Sequence, residues 1–539
     1  MFASSAHRAY HPVPSEEDDA APQDVIAPVS AAQRTSISKA ALRLHLLCLF
    51  FAIGSSVWGY NVGVLSSIMV HPGFVATVGG LGPSRKGVIT AVYYVGTWTS
   101  YVFVSRAASD LLGRRFAALS GVVVACTGTA LQASAAGPAA FSMVLCGRIV
   151  AGVGVAILST SVPLYQSEIS PAKERGRFVV MNHVGFVVGL ASGFWVGYAM
   201  TFWDSPYGAA AGWRYSLAVQ FIPSAIFAFG LPFLLETPRW LVEHDQLDLA
   251  RRSLHHFREG SFTDREISHE FDAMTASVAE FRASGLTSWR CLFTEPSLFR
   301  RLWRAALLQF MGQMCGATAM KYYLPTLLEV LGLDHRVALM AGGIESTLKI
   351  GMTLLDSILI DRMGRRLTLA VGAGAMAFAM LINGALPLVF PDNTNRAADI
   401  TCVVFIFIYA LGYSMGFGPA AWVYGAEVFP TAIRARGLNL AASGGSVGSV
   451  LVAQIWPVGI HRIGTKVYFF FMVVNLICVP VIYMLYPETK GRALEDMDVL
   501  FGKIGGVSAD DPEPERPSAP GSRPRHKPRT RGDENARLM

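Results

Sequence analysis

Three ionisable side chains recur on one face of a long apolar stretch. Glu345, Lys349 and Asp356 stand at i, i+4 and i+11, and at about 100° per residue these positions point within roughly 40° of one another on a helix. The spacing allows a direct Glu345–Lys349 ion pair, and Lys321 adds a cation in the preceding apolar stretch. A charge at membrane depth costs at least ~2.5–3.5 kcal/mol. The pattern therefore predicts either a structural ion pair or a charged pocket wall.

The chain around these charges is too apolar for a soluble enzyme. Of 539 residues, 52% are apolar and only 15% are charged, against about 25% charged in a typical soluble domain. The sequence has no HExxH, phosphate-binding loop, CxxC or Cys/His cluster, so we expect no enzymatic activity, no cofactor and no metal. The net charge of +7 is spread over loops and the C-terminal tail, which indicates orientation in a lipid bilayer rather than nucleic-acid binding.

Twelve apolar stretches are each long enough to cross a membrane as a helix. They lie at about 45–68, 86–105, 116–135, 139–164, 178–200, 214–235, 302–328, 337–360, 367–390, 400–424, 437–459 and 465–486. The predicted fold is an all-α polytopic membrane protein with a disordered cytoplasmic tail (1–42), a six-helix half (43–235), a cytoplasmic helical linker (236–301), a second six-helix half (302–486) and a cytoplasmic tail (487–539). The loops on the linker side are richer in Lys and Arg, which places both termini in the cytoplasm.

The two halves repeat one another. Asp-x-x-Gly-Arg-Arg occurs at 110–115 and at 361–366, and Tyr-x-x-Glu-x-x-Pro-x-x-x-Arg occurs at 165–175 and at 424–434. Two parallel six-helix repeats form a cavity at their interface near the bilayer midplane. The duplication favours a carrier that rocks one half against the other.

Further motifs carry a family resemblance. They are Gly59-Tyr-Asn-Val-Gly63, Gly147-Arg-x-x-x-Gly152, Pro163-x-Tyr165, Gly212-Trp-Arg214, Glu236-Thr-Pro-Arg-Trp240, Tyr322-Tyr323, Trp422 and Pro487-Glu-Thr-Lys-Gly491. Along nearly all of 44–502 the sequence resembles the fungal members of the sugar porter family, within the major facilitator superfamily. The resemblance implies a monomer in the plasma membrane that moves a sugar by alternating access.

The resemblance also implies the substrate-binding residues, although the chain departs from the family at several of them. His183 stands at a Gln position of the fifth span, Thr318 at an Asn position, Lys349 at or beside another Asn, and Gly445-Ser446 where the family has Asn-Trp. The full implied set is His183, Gln313, Thr318, Tyr322, Tyr323, Lys349, Trp422 and Ser446. Packing inside the helix bundle is the alternative for His183, Gln313 and the tyrosine pair.

Charged residues at the linker-side helix ends are expected to control opening of that face, because ion pairs there break when the halves separate. The alternative is that they are topology signals on a solvated face. The set is Asp110, Arg114, Arg115, Glu168, Arg175, Glu236, Arg239, Asp361, Arg365, Arg366, Glu427, Arg434 and Glu488.

Proton coupling depends on position 61. In proton-coupled relatives an Asp there faces the fourth-span Arg, here Arg148, whereas Asn61 cannot change its charge. Two hypotheses remain: the protein is a facilitator, or another carboxylate, Glu345 or Asp356, takes the proton. The cations at 148, 321 and 349 suit an anion. We therefore expect transport of a sugar or polyol as the first function and transport of a sugar acid or quinate-like anion as the second. A sugar sensor that does not transport is the third alternative.

Overall fold

A computed structural model of the chain describes residues 31–171, 175–283, 289–391, 394–430, 433–490 and 501. Within these ranges the chain is helical and no strand is present. The first half contains spans 1 to 6, at Ala31–Ile68, Pro83–Leu111, Arg114–Ala133, Ala140–Ile169, Arg175–Met200 and Pro206–Phe233. The first helix thus begins at Ala31, earlier than the sequence boundary at 42.

The second half contains spans 7 to 12. Span 7 is divided into Pro296–Gly312, a π-helical turn at Gln313–Ala317, Thr318–Tyr322 and Leu324–Val330. Span 10 is Arg396–Gly416 followed by Pro419–Val428. Spans 8, 9, 11 and 12 are His335–Met363, Arg365–Val389, Arg434–Ile463 and Val467–Leu485.

Short helices connect these spans. Pro72–Thr77 follows span 1, and the linker after span 6 forms Pro238–Glu243, Leu247–Arg258, Asp264–Ala283 and Cys291–Thr294. We call the side of the molecule that carries the linker helices the linker face, and the other side the opposite face. Several helices begin at a proline, whose fixed φ and missing N–H suit the first helical position.

Nine segments in the described part of the chain are long and apolar enough to cross a membrane by length and composition, and one of them, Arg434–Leu485, contains both span 11 and span 12. Spans 7 and 8 are not in this set. They carry Lys321, Glu345 and Lys349, which lower the local hydropathy. Together these segments make the twelve-helix, two-half architecture that the sequence predicts.

Close helix packing positions the cavity. Span 1 packs along span 5 so tightly that a Cβ at Gly59 would lie 1.8 Å from the carbonyl oxygen of Phe186, the small-residue contact typical of membrane helices. Between the halves, span 2 packs on span 11 and span 5 packs on span 8. Spans 1, 7 and 10 therefore lie around a central space at the interface.

Candidate functional site

A cavity lies between the two halves. Spans 1, 2 and 5 form one wall, and spans 7, 8, 10 and 11 form the other. Its lining side chains include Trp58, Tyr93, Tyr94, Thr97, Tyr101, His183, Phe186, Gln309, Gln313, Lys321, Lys349, Tyr413, Ser414, Phe417, Trp422, Ser446 and Ser449. Both aromatic rings and hydrogen-bonding groups thus line the same cavity.

Only part of the set predicted from sequence lines this cavity. His183, Gln313, Lys321, Lys349, Trp422 and Ser446 do. Thr318, Tyr322, Tyr323, Asn61, Arg148, Glu345 and Asp356 are buried behind the lining residues. The cavity residues that the sequence did not point to include a stripe on span 2, at positions 93, 97 and 101. Their i, i+4, i+8 spacing on one helical face is the signal that would have found them.

The π-helical turn of span 7 turns Gln313 toward the cavity. Gly316 inside it has φ of 104°, and such turns are frequent at functional sites. Gln313 Nε2 donates to the Tyr413 hydroxyl at 3.4 Å. The Thr318 hydroxyl lies 3.1 Å from Gln313 Oε1 and 3.1 Å from Ser449 Oγ. Thr318 therefore orients a cavity amide rather than lining the cavity itself.

The charges predicted on span 8 form a buried ion pair. Lys349 Nζ lies 2.5 Å from Glu345 Oε1, and the Ser346 hydroxyl donates to Glu345 Oε2 at 3.1 Å. Lys349 faces the cavity, whereas Glu345 lies behind it. Lys321 also faces the cavity, with its ammonium 4.9 Å from the centre of the Tyr413 ring. In the described part of the chain no carboxylate lies within ion-pair distance of Lys321.

Two indoles from opposite halves line the cavity. Trp58 on span 1 and Trp422 on span 10 lie 6.4 Å apart in an edge-to-face arrangement. Trp58 also packs on Phe186 at 4.4 Å, and His183 lies 5.6 Å from that ring. Flat, electron-rich faces of this kind pack against the C–H faces of a ring-shaped substrate.

Asn61 and Arg148 form a polar contact just behind the aromatic wall. Arg148 Nη1 donates to Asn61 Oδ1 at 2.9 Å, and Asn61 Nδ2 donates to Gln220 Oε1 at 3.3 Å. The guanidinium stacks on Tyr93 at 4.2 Å and lies 6.0 Å from Tyr322 of the other half. Among the described residues no carboxylate reaches Arg148, so its immediate partners are neutral.

Contacts between the halves close the cavity toward the opposite face. The Tyr323 hydroxyl of span 7 lies 3.1 Å from Thr90 Oγ1 of span 2 and donates to the Ala453 carbonyl of span 11 at 3.0 Å. Ser66 of span 1 donates to the Lys321 carbonyl. Tyr323 is therefore part of a closure rather than of the lining.

Contacts also join the halves on the other side of the cavity. The hydroxyls of Thr97 and Ser446 are 2.8 Å apart at the cavity itself. On the linker face Asp110 Oδ2 lies 4.0 Å from Arg436 Nη2. The substrate space is thus bracketed on both faces by contacts that must break for it to open.

Most of the charged residues predicted at the linker face pair within one half. Arg114 contacts Glu168 at 3.1 Å and Glu243 at 3.3 Å, and Thr237 donates to Glu168 at 2.6 Å. The second half repeats this arrangement, with Arg365 at 2.8 Å from Glu427 and Thr489 donating to Glu427 at 2.7 Å. These networks hold the linker start and the chain after span 12 against their own halves.

Two carboxylates bind helix N-termini at equivalent places. Glu236 accepts the backbone N–H groups of Arg114 and Arg115 at 3.1 and 3.3 Å, and Glu488 accepts those of Arg365 and Arg366 at 3.0 Å each. An anion is favourable at the positive end of a helix. The preceding residues are Gly113 and Gly364, with φ of 84° and 91°. An added Cβ there would lie 2.4 Å and 2.6 Å from the carboxylates, so only glycine permits the contact.

The environments of the two carboxylates differ. Burial raises the pKa of Glu236 above its usual range, against the opposing hydrogen bonds from backbone N–H groups. Burial also raises the pKa of Glu488, but its four backbone N–H donors outweigh that effect and lower the pKa overall. Glu488 is therefore the more firmly ionised cap.

The remaining predicted linker-face residues contribute in smaller ways. Arg239 contacts Glu243 at 3.2 Å, Arg366 donates to the Tyr483 carbonyl, and Arg434 is buried. The side chains of Arg175 and Asp361 lie outside those that the structure describes.

Comparisons with known proteins agree with this architecture. Residues 47–501 match the family model described as Sugar (and other) transporter. The chain is 30% identical to the MFS-type transporter criB of Aspergillus cristatus, over 85% of this chain and 94% of the relative. It is 28% identical to a probable quinate permease of Aspergillus clavatus, over 85% and 88%. The E. coli proton:xylose symporter XylE, bound to 6-bromo-6-deoxy-D-glucose, shares the fold with a TM-score of 0.72 at 22% identity, over 85% of this chain and 99% of that one.

Proposed function

We propose that this chain, which belongs to the sugar transporter family of the major facilitator superfamily, binds a ring-shaped, polyhydroxylated substrate in the central cavity and releases it on the other side of the membrane. It is a multi-pass membrane transporter and not an enzyme. Rocking of one half against the other exposes the cavity to each side in turn.

The cavity at the interface of the halves supports this function most strongly. Trp58 and Trp422 offer ring faces from opposite halves, while Gln313, Thr97 and Ser446 offer amide and hydroxyl partners beside them. A sugar needs both kinds of contact, because its C–H faces are apolar and its rim is polar. Contacts between the halves at both faces, Tyr323 with Thr90 and Asp110 with Arg436, fit a carrier that alternates between two openings.

A neutral sugar or polyol is the first substrate candidate. A carboxylated ring, such as a sugar acid or quinate, is the second, because Lys321 faces the cavity and no described carboxylate pairs with it. Relatives of this chain include a sugar transport protein and probable quinate permeases.

Counterflow in proteoliposomes tests the transport function. Purified protein in vesicles preloaded with unlabelled glucose is expected to accumulate radiolabelled glucose transiently, because a carrier exchanges substrate across the bilayer without net flux. Quinate or galacturonate in the outer solution should reduce that accumulation if the cavity takes acids. Absence of counterflow with glucose, a pentose, a polyol and both acids would favour a sugar sensor on the same fold.

The contact at Asn61 supports facilitated movement of neutral substrates. The Asn61 amide is not ionisable, so it cannot switch this contact in the first half on or off by taking up a proton. We therefore expect uptake of a neutral sugar by the native protein to be insensitive to an uncoupler.

Asn61→Asp is expected to introduce pH dependence. The new carboxylate would pair with Arg148 when ionised and release it when protonated, so sugar uptake should rise toward acid outer pH. If the pKa of the new carboxyl group differs by one unit between two conformations, the free-energy difference is about 1.4 kcal/mol, which corresponds to about tenfold in rate. Initial uptake rates across a pH series would measure it. Asn383→Asp is the control, because Asn383 is also buried but donates to the Ala379 carbonyl of its own helix. Equal pH profiles in both variants would contradict the prediction.

The basic loops favour a cytoplasmic linker face and cytoplasmic termini. With the family resemblance they support residence in the plasma membrane as a monomer, with a tail at 1–42, halves at 43–235 and 302–486, a linker at 236–301 and a tail at 487–539.

A further inference from the structure

Span 8 presents a cation to the substrate space while hiding the carboxylate that pairs with it. The Lys349 ammonium lines the cavity, and Glu345, 2% exposed, lies one helical turn earlier, outside the lining. The two are in direct contact at 2.5 Å. Lys349, and not Glu345, is therefore the member of the pair that an anion in the cavity reaches.

A second cation lies on the same side of the cavity. Lys321 on span 7 lines the space, and no carboxylate of the described residues lies within ion-pair distance of it. Two lysines thus face one substrate space, and of these only Lys349 pairs with a carboxylate among the described residues. A carboxylate placed between them would gain two charge-assisted contacts.

Among the described residues, the other ionisable groups near the pair come from spans 5, 8 and 10. Span 10 contributes Tyr409 and Tyr413, and span 5 contributes His183 across the cavity. Asp356 lies on span 8 itself, fully buried and outside the lining. Glu345 is therefore the carboxylate whose state changes directly when Lys349 finds a new partner.

We propose that a substrate carboxylate binds Lys349 and Lys321 by displacing Glu345, and that Glu345 then takes up a proton which travels with the substrate. This inference rests on the proposed function, and it names the substrate class as a carboxylated, hydroxylated ring. The anion brings one negative charge, and the proton from cavity water adds one positive charge as it forms the Glu345 carboxylic acid. The loaded carrier therefore has the same net charge as the empty one.

Burial explains why the exchange requires the proton. A carboxylate that loses its cation inside the bilayer keeps a large desolvation penalty, and protonation removes that penalty while the Ser346 contact remains available to the neutral acid. A neutral sugar offers no charge to Lys349 and leaves the pair intact. Acids are thus symported with a proton, and neutral sugars move without one through the same cavity.

Proton and charge movement in proteoliposomes test this exchange. Vesicles that contain the full-length protein and an internal pH dye receive quinate, galacturonate or glucose outside, with the membrane potential set by potassium and valinomycin. For the native protein we expect internal acidification with each acid, no acidification with glucose, and acid uptake that does not respond to the potential. Acid uptake driven by an inside-positive potential without acidification would overturn the proposal.

Glu345→Gln separates the anion from the proton. The variant leaves Lys349 and Lys321 free for the anion, so acid uptake should continue, become dependent on the potential, and lose its acidification. Glu329→Gln is the matched control, because Glu329, in the last helix of span 7, pairs with His335 at the start of span 8. This variant should behave as the native protein does. If Asp356→Asn, instead of Glu345→Gln, abolishes acidification, the proposed proton site is wrong.

A second variant guards against misfolding caused by the unpaired lysine. Glu345→Gln/Lys349→Gln removes both charges together, and in well-folded protein it should lose most acid uptake. Retained proton-linked acid uptake in this variant would contradict the proposal. Glucose counterflow without any acid transport by the native protein would refute this inference and leave the proposed sugar transport standing, whereas absence of all counterflow would refute the transport function itself.

Discussion

Arg114→Ala is expected to destabilise the folded protein by about 3–5 kcal/mol, the usual cost of removing one partner from a buried ion pair. The Arg114 side chain is 4% exposed and contacts Glu168 and Glu243 at once. Its loss would leave the Glu168 carboxylate, 7% exposed, with the Thr237 hydroxyl as a much weaker partner. The start of the linker would lose part of its attachment to the first half.

The matched control is Arg282→Ala on the same face. Arg282 pairs with Asp245 at 2.8 Å, but the two side chains are 46% and 75% exposed, and exposed pairs contribute about 0–1 kcal/mol. Thermal unfolding of purified protein can be followed with a thiol-reactive dye, since Cys48, Cys315, Cys402 and Cys478 become reactive only when the bundle opens. Equal loss of stability in the two variants would mean that burial of the Arg114 network has no energetic consequence.

The spans and their duplication were predictable from sequence because the bilayer imposes a length and an apolar composition on each helix. The ends of the predicted stretches, such as 116–135 and 437–459, lie close to Arg114–Ala133 and within Arg434–Ile463. The buried ion pair of Glu345 and Lys349 was equally predictable. Its i, i+4 spacing acts within one helix and needs no knowledge of the neighbours.

Residues after a helix irregularity were harder to place. The π-helical turn at Gln313–Ala317 puts one more residue into the turn than an α-helix does, and each residue turns the helix by about 100°. The resemblance places Thr318, Tyr322 and Tyr323 in the binding site without reference to this turn, and the structure has them buried outside the lining. No feature of the local sequence specifies such a turn.

The sequence also did not predict which distant segments contact each other. Charged motifs at the linker face suggested pairs that join the halves, yet Arg114–Glu168 and Arg365–Glu427 lie within halves, and Asp110 reaches across to Arg436. The duplicated motifs correctly indicate duplicated surroundings. They do not state whether a partner comes from the same repeat or the other one, because both faces of each helix end are polar.

Trp422→Ala is expected to raise the KM for the transported ring compound roughly 30- to 150-fold, or about 2–3 kcal/mol. The indole forms one wall of the cavity, 6.4 Å from Trp58 of the other half. Truncation would remove the surface on which the substrate ring packs and admit water in its place. Trp422→Phe keeps a smaller aromatic face and should lie between native and Ala.

The KM in counterflow or uptake, normalised to the amount of protein in the vesicles, measures this effect. Trp203→Ala is the control of equal size, because Trp203 lies in the loop between spans 5 and 6, 37% exposed and packed on Tyr207 and Tyr215. It should leave the KM within about twofold, as expected for a surface substitution away from any special contact. An unchanged KM for Trp422→Ala in well-folded protein would mean that the substrate does not pack on the Trp422 indole, and the site would have to be sought elsewhere along the interface.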